Sequence, residues 1–205
     1  MTELHGIDVS HWQTGLDLRH TDAEFVICKA TEGTSYVDPQ CGVFADQARD
    51  LGIPFGVYHF YEGGGTAEAD HFIRHVSGWV GRALLALDFE THTADVAGAR
   101  AWLDRVHHQT GVRPVLYISA SVLTAQNWAG VAAAGYGLWL ARWADGPGPV
   151  APWDELTLWQ YTDHHKTGGM QVDADRFYGD RAAWSTSVGM ASAATPSADS
   201  RAASA

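Results

Sequence analysis

The chain has 205 residues, 46% of them apolar, which is enough to bury the core of one large domain. Its 13 basic and 24 acidic residues give a formal net charge of −11, which argues against nucleic acid or an anionic membrane as a partner. No stretch approaches the roughly 18 apolar residues of a membrane span, so we expect no membrane insertion, and no secretory signal is visible at the N-terminus.

Eight short apolar runs bounded by turn residues predict β-strands. Several are too continuously apolar to leave one face in water, which is typical of parallel strands covered on both sides. In chain order the predicted strands are residues 6–10, 25–31, 54–60, 83–90, 115–119, 138–143, 156–162 and 172–177.

Helical patterns separate the earlier strands, and their alternation with strands implies a parallel sheet. The first helix follows Asp38 and Pro39, an N-cap and a first-turn proline, and stops at Gly52. The last three strands have only short connections, so they cannot all carry crossover helices. The sequence predicts an α/β fold, a TIM-like β/α barrel of about eight strands, with a doubly wound open sheet as the alternative. The predicted helices are 40–51, 66–80, 94–110 and 121–129.

The composition changes after residue 185. Small residues without periodicity predict a flexible Ala/Ser-rich tail over 186–205, which leaves 1–185 as the folded domain. Two cysteines are too few for a disulfide framework. We interpret Cys28 and Cys41 as packing thiols, with a single bridge between them as the alternative.

The run ALLALDFE at 83–90 ends in two carboxylates. Because side chains alternate across a strand, Leu84, Ala86, Asp88 and Glu90 share one face. That face is apolar at first and acidic at the C-terminal end, where active sites of barrels lie. Two carboxylates held close together should have separated pKa values, which would give one proton donor and one anion.

The same alternation places further polar and aromatic side chains at that end of the barrel. Aromatic rings beside carboxylates suit carbohydrate, and a pair of carboxylates is what glycosidic cleavage requires. Alternatives remain for single residues: Asp8 and Lys29 could form a structural ion pair, and the tryptophans could be core residues. Alternation places Asp8 on the face opposite to Ile7 and Val9, and Lys29 on the same face as Ile27. Five further candidates each fall near the C-terminal half of a predicted strand: Tyr58, Tyr117, Trp139, Gln160 and Asp173.

In combination these segments resemble glycoside hydrolase family 25, over roughly residues 5–180. The motifs are GIDVSHWQ, FVICKATEGTSYVDP, GVYHFY, LALDFE, LYIS, LWLARW, LWQYTD and VDADRF. The resemblance implies a flattened barrel whose later strands lose their helices. It also implies an N-acetylmuramidase, or lysozyme, that cleaves the β-1,4 bond between N-acetylmuramic acid and N-acetylglucosamine in bacterial peptidoglycan.

The resemblance also implies roles for single residues. Glu90 matches the general acid and Asp88 its partner carboxylate, while Asp8 and Asp173 match two further acidic positions. We prefer Asp173 to Asp175, which stands where many members have asparagine. The residues at aromatic positions expected around the substrate are Tyr58, Tyr117 and Trp139. Lys29, Glu32 and Gln160 also fall within family segments and are expected to contact substrate.

Departures from the family pattern are mild. The glycines at 63–65 suggest a mobile loop at the barrel mouth, Cys28 replaces an aliphatic residue, and 16–18 lacks a common tryptophan. The chemistry requires no cofactor and no metal. The pair His71 and His75 lacks an HExxH motif or an acidic third ligand, so we expect no metal site there.

Other functions remain open. One is a chitinase-type hydrolase, although position 86 is alanine where a longer acidic run would be expected. Another is a non-catalytic wall-binding module, and a third is a virion subunit that retains the domain. We expect a monomer acting on the cell wall, a phage endolysin released through a membrane pore or an enzyme carried on a particle. Retention or inversion at the anomeric carbon is left open.

Overall fold

The structure, a computed structural model, describes residues 2–90 and 95–189. Eight of its strands form a closed barrel, and one short strand, β3, lies outside it. The strands are β1 Leu4–Val9, β2 Phe25–Glu32, β3 Tyr36–Val37, β4 Phe55–Phe60, β5 Leu84–Asp88, β6 Val115–Ser119, β7 Gly137–Ala141, β8 Leu158–Thr167 and β9 Met170–Phe177.

The pairing of β1 closes the sheet. β1 pairs in parallel with β2 on one side and antiparallel with β9 on the other. The neighbours from β2 through β4, β5, β6 and β7 to β8 are parallel, and β8 and β9 form an antiparallel hairpin turning at Gly168 and Gly169. The predicted barrel is therefore confirmed, and the open-sheet alternative is wrong.

Helices accompany the earlier strands, as predicted. The connection from β7 to β8 and the β8–β9 hairpin carry none among the described residues, so the later strands do lack crossover helices. The helices are α1 Cys41–Leu51, α2 Thr66–Val76, α3 Val96–Thr110, α4 Ala120–Ala125, α5 Ala129–Ala133 and α6 Arg181–Ser187.

Several helix boundaries differ from the prediction, and the helix predicted at 66–80 ends at Val76. α1 begins at Cys41 with Gln40 at its N-cap position, so the predicted cap, Asp38, lies two residues too early. The Asp38 carboxylate accepts instead from the backbone N–H groups of Gln40 and His11. The stop at Gly52 is confirmed, with φ of 65°. The helix predicted at 121–129 is two shorter helices, α4 and α5, separated at residues 126–128.

Side-chain alternation sorts β5 into two layers, as predicted. Leu84 and Ala86 point into the barrel, where they pack with residues of the opposite strands. Leu85, Leu87 and Phe89 face outward and pack beneath the helices. Because β5 is buried on both faces, its continuous apolar run is explained.

The end of the barrel opposite its mouth is filled with aromatic side chains, which we call the floor. The ring of Trp184 on α6 lies 4.9 Å from that of Phe25 and 5.0 Å from that of Phe177, centroid to centroid. A Cβ at residue 6 would meet the Phe25 ring at 2.5 Å, so only glycine fits there.

The folded part of the chain extends slightly past the predicted boundary at residue 185. α6 continues to Ser187, and Val188 is buried. Residues 190–205 lie outside the described residues.

Both cysteines are buried free thiols, which confirms their interpretation as packing residues. The Sγ of Cys28 lies 3.4 Å from the carbonyl oxygen of Gly56 on the neighbouring strand.

Within 2–90 and 95–189, every helix is too short or too polar to cross a bilayer.

Candidate active site

A small polar cavity of about 70 Å³ lies at the mouth of the barrel, where the parallel strands end. The sequence predicted each of its lining residues as a site residue, and the fold brings them together from seven strands and the end of β5. The lining residues are Asp8, Tyr58, Asp88, Glu90, Tyr117, Trp139, Gln160 and Asp173.

Two of these residues reach the mouth from an unexpected part of their strands. Gln160 and Asp173 lie in the first halves of β8 and β9, so the expectation of C-terminal halves was wrong for them. β8 extends past the mouth as a hairpin, and β9 runs antiparallel to its neighbours. The N-terminal part of β9 therefore meets the C-terminal ends of the parallel strands.

Gln160 joins two of the carboxylates. Asp8 and Asp173 are directly opposite each other on β1 and β9, where two like charges repel. The Gln160 side-chain amide donates to Asp8 Oδ2 at 2.7 Å and to Asp173 Oδ2 at 3.2 Å. Its Oε1 accepts from the hydroxyl of Tyr117 at 3.0 Å and from the indole N–H of Trp143 at 3.3 Å. The four contacts use both ends of the amide and fix its orientation.

Burial raises the pKa values of these two carboxyls. The pKa of Asp8 rises to about 8 because the group is desolvated and because Asp173 stands beside it. The pKa of Asp173 rises to about 6, again mainly through desolvation, with Asp163 adding repulsion. The mouth therefore retains protons that exposed carboxyls would lose.

Asp88 and Glu90 occupy different depths. Asp88 is buried, and its Oδ1 has no hydrogen-bond partner among the described residues. Glu90, just past the end of β5, is exposed. Desolvation raises the pKa of both carboxyls, well above the usual range for Asp88. The two carboxyls differ in solvent exposure, but the pKa of each is shifted upward. The upward shifts alone therefore do not distinguish a proton donor from an anion, although the sequence had led us to expect that distinction.

Lys29 is the cation whose charge acts on both of these carboxyls. Its ammonium bonds to the carboxylate of Glu32 and lies 4.7 Å from the ring centroid of Phe60. The alternative of a structural pair between Lys29 and Asp8 is therefore wrong. The positive charge lowers the pKa values of Asp88 and Glu90 and partly opposes their burial.

Asp175 does not line the cavity. It is fully buried below it, and its Oδ1 accepts from the indole N–H of Trp139 at 2.8 Å. Asp173, two residues earlier on the same face of β9, is the one that lines the cavity.

A larger groove of about 630 Å³ begins at Glu90 and Tyr117 and runs along the N-terminal part of α4. Trp143, 60% exposed, forms one wall. Trp143 was not predicted as a site residue, although alternation along LWLARW puts it on the same face as Trp139. The rest of the lining consists of Ser119, Ala120, Ser121, Val122, Ala125, Gln126 and Ala141.

A buried polar network beside the mouth was also missed. His59 is fully buried on the outer face of β4, bonded through Nε2 to Glu68 at 2.7 Å and through Nδ1 to Thr31 at 2.8 Å. The Glu68 carboxylate also accepts from the backbone N–H groups of Glu62 and Gly64. The glycine-rich segment is thus attached to α2 by hydrogen bonds. The alternation of side chains along β4 would have been enough to predict that His59 points to the outer face, away from Tyr58.

The ring nitrogens of His71 and His75, the pair considered as metal ligands, contact backbone carbonyl oxygens. His71 Nε2 lies 2.9 Å from the carbonyl oxygen of Tyr36, and His75 Nδ1 lies 2.8 Å from that of His71. Over the described ranges, no three His, Cys, Asp or Glu side chains are arranged to hold a metal ion.

Comparison with known proteins places this architecture in a family. The profile described as "Glycosyl hydrolases family 25" matches residues 7–170. Lysozyme M1 of Streptomyces globisporus is 32% identical over 196 residues, which cover 84% of this chain and 66% of that protein. The N,O-diacetylmuramidase of a Chalaropsis species is 33% identical over 192 residues, 81% of this chain and 91% of that protein.

The fold comparison agrees. The crystal structure of a bacterial lysozyme from Streptomyces coelicolor superposes with a TM-score of 0.82 at 29% identity, covering 93% of this chain and all of the other. A closed α/β barrel with carboxyls at its mouth is the architecture of a barrel glycoside hydrolase. Within that class, the chain belongs to glycosyl hydrolases family 25 and is an enzyme of the lysozyme type.

Proposed function

We propose that this enzyme hydrolyses peptidoglycan at the β-1,4 bond between N-acetylmuramic acid and N-acetylglucosamine. The observation that carries the proposal is the position of Glu90, which lines both the polar cavity and the groove beside α4. A glycan lying along the groove would place a glycosidic oxygen next to an accessible carboxyl. The exposed ring of Trp143 gives the sugar faces a stacking surface.

Glu90 is the general acid in this proposal. Its pKa is raised by desolvation, so the group keeps a proton to higher pH than an exposed glutamate does. Transfer of that proton to the departing sugar oxygen avoids release of an alkoxide, and such assistance contributes about 10²- to 10⁴-fold in rate.

Asp88 supports the attack on the anomeric carbon. It lies deeper than Glu90, where its carboxylate can accept from the acetamido N–H of the muramic residue. The acetamido oxygen then bonds to the anomeric carbon as the glycosidic bond breaks, and water later opens the ring so formed. Binding of the acetamido N–H and the charge on Lys29 both favour the ionised form of Asp88.

The bond and the acid are tested together by digesting purified peptidoglycan with wild type and Glu90→Gln. The new reducing ends are reduced with borohydride and identified. Muramitol from wild type, lost in the variant, supports the proposal. Glucosaminitol would overturn the bond assignment and keep the hydrolase. Wall binding without new ends from either protein would favour a non-catalytic module.

The route of attack needs a separate measurement. We expect a first product with retained anomeric configuration, seen by NMR before mutarotation, if the acetamido group attacks. Inversion would instead indicate direct attack by water and would remove the acetamido step while leaving Glu90 as the acid.

The setting of the reaction is the bacterial cell wall, and we propose a phage endolysin. Peptidoglycan lies outside the cytoplasmic membrane, so an enzyme made inside the cell must cross that membrane to reach it. Expression in a susceptible host with and without a pore-forming protein tests this directly. Lysis that requires the pore supports an endolysin, and lysis without it contradicts release through a pore.

A further inference from the structure

The carboxyl group of Asp175 is buried where an ionised carboxylate would cost free energy. It is completely buried, and it lies on β9 between Phe177 of the floor and Asp173 of the mouth. One oxygen, Oδ1, accepts from the Trp139 indole. The other, Oδ2, is buried and has no donor among the described residues. A buried carboxylate oxygen without a donor costs free energy, whereas a protonated one can itself donate.

The neighbouring carboxyl is that of Asp8. Asp175 is opposite Gly6 and Asp8 is opposite Asp173, so Asp8 and Asp175 are diagonal neighbours on the inward face of β1 and β9. Gln160, paired with Asp175 across β8 and β9, already donates to Asp8 Oδ2. Two carboxyls can bond only when one of them carries a proton. Since Trp139 can only donate, its contact does not require that proton, and Asp8 is the available acceptor.

We propose that Asp175 is a permanently protonated acid that donates its hydrogen to Asp8, so that Asp8 is the member of the pair that ionises. Asp175 is then a positioning residue: it touches no substrate and acts through Asp8. The proposal goes beyond the proposed function, and only its activity test rests on that function, with Asp8 acting there as an anion beside Asp88.

The surroundings of the pair favour this order of ionisation. Desolvation raises the pKa of Asp175 well above the usual range, while the pKa of Asp8, which accepts from Gln160 and lines the cavity, rises only to about 8. The other carboxyls facing the pair, Asp88, Glu90 and Asp173, add negative charge, and the nearby Lys29 acts on Asp88 and Glu90. The phenols of Tyr58 and Tyr117 have raised pKa values, so they stay neutral.

Two substitutions of Asp175 distinguish loss of its hydrogen bonds from loss of its ionisable group. In Asp175→Asn the amide keeps an acceptor for Trp139 and a donor for Asp8. In Asp175→Leu both bonds are lost, so the pKa of Asp8 rises further and its ionised form needs a higher pH. We expect kcat of the Leu variant to fall at least about tenfold, with the rising limb of the pH–rate profile moved upward. The Asn variant should restore both.

The proton itself is seen without any activity measurement. Carboxyl ¹³C spectra of aspartate-labelled protein are compared between wild type and Asp175→Asn. The signal that disappears should report a protonated acid at pH 7. In addition, the Asn variant should raise Tm by more than about 2 °C at pH 7 but not at pH 3, because only wild type resists a deprotonation that unfolding permits. The exposed control Asp154→Asn should show neither effect.

Either of two results would overturn the proposal: an Asp175 signal that titrates near the ordinary aspartate value of about 3.9, or an Asn variant that behaves like the Leu variant. If the Leu variant does not fold, the carboxyl spectrum of wild type still decides. Failure of the muramidase assignment would leave the spectrum and the Tm comparison unaffected, so the two proposals fail separately.

Discussion

The floor and the mouth of the barrel are built from the same strands and have opposite chemistry. At the floor, Phe25, Phe177 and Trp184 pack ring against ring and are almost fully buried. At the mouth, buried Asp8 and Asp88 are desolvated and have raised pKa values. The closed sheet supports both, because alternating side chains carry the inward face from one end to the other.

The difference shows where stability is gained and where it is given up. Burial of aromatic surface at the floor favours folding by roughly 25 cal/mol per Å² of apolar area. Burial of carboxyls at the mouth opposes folding at neutral pH, since the unfolded chain loses their protons more easily. Substitutions at the floor should therefore change stability and spare chemistry, whereas substitutions at the mouth should do the reverse.

The largest expected effect belongs to the mouth. Asp88→Asn keeps the side-chain shape and removes the ionisable group, so kcat/KM on peptidoglycan should fall by about 10²- to 10⁴-fold. Its free energy of unfolding at pH 7 should stay the same or rise, because the pKa of this carboxyl is raised in the folded protein. The exposed Asp145→Asn is the control. A variant that is active but unstable would contradict the contrast between the two ends.

The floor should show the opposite pattern. Trp184→Ala removes a buried indole packed on Phe25, which should lower the free energy of unfolding by about 3–5 kcal/mol. Activity per folded molecule should change little, since the residue lies at the other end of the barrel. Trp12→Ala, which truncates a ring that is 81% exposed, should cost less than about 0.5 kcal/mol. Denaturant unfolding of all three proteins checks this, and equal losses in the two variants would refute it.

A third effect is the pH dependence of stability. The folded-state pKa values of about 8 for Asp8 and about 6 for Asp173 exceed that of an unfolded aspartate. The stability that these two protonated carboxyls contribute is fully present below about pH 4. It is lost as the pH rises through their pKa values in the folded protein. We expect a loss of about 2 kcal/mol between pH 4 and 8, allowing for solvent screening and coupling. Asp8→Asn should flatten the curve, and parallel curves for the two proteins would argue against buried carboxyls as the cause.

Sequence reasoning recovered the barrel and the lining of the cavity because both depend on a period of two along apolar strands. It failed where tertiary context decides: β9 runs antiparallel, so Asp173 reaches the mouth from the other half of its strand. It also missed the bonds from His59 and Glu68 to the glycine-rich segment, since no local pattern pairs a strand histidine with a helix glutamate. The partner of Lys29 was likewise a choice among nearby acids that only the fold makes.

The smallest expected effect concerns the edge of the mouth, where Trp143 is both an exposed ring and a hydrogen-bond donor to Gln160. Trp143→Ala should raise KM for glycan roughly tenfold, as expected for loss of about 1.4 kcal/mol of binding. Trp143→Phe keeps a stacking face but not the N–H, so it should recover most of that affinity if stacking dominates. Val43→Ala, an apolar truncation on the exposed face of α1, is the control. An equal loss in the Phe and Ala variants would show instead that Trp143 matters mainly by holding Gln160, which would make this exposed residue part of the buried carboxyl network rather than of the glycan groove.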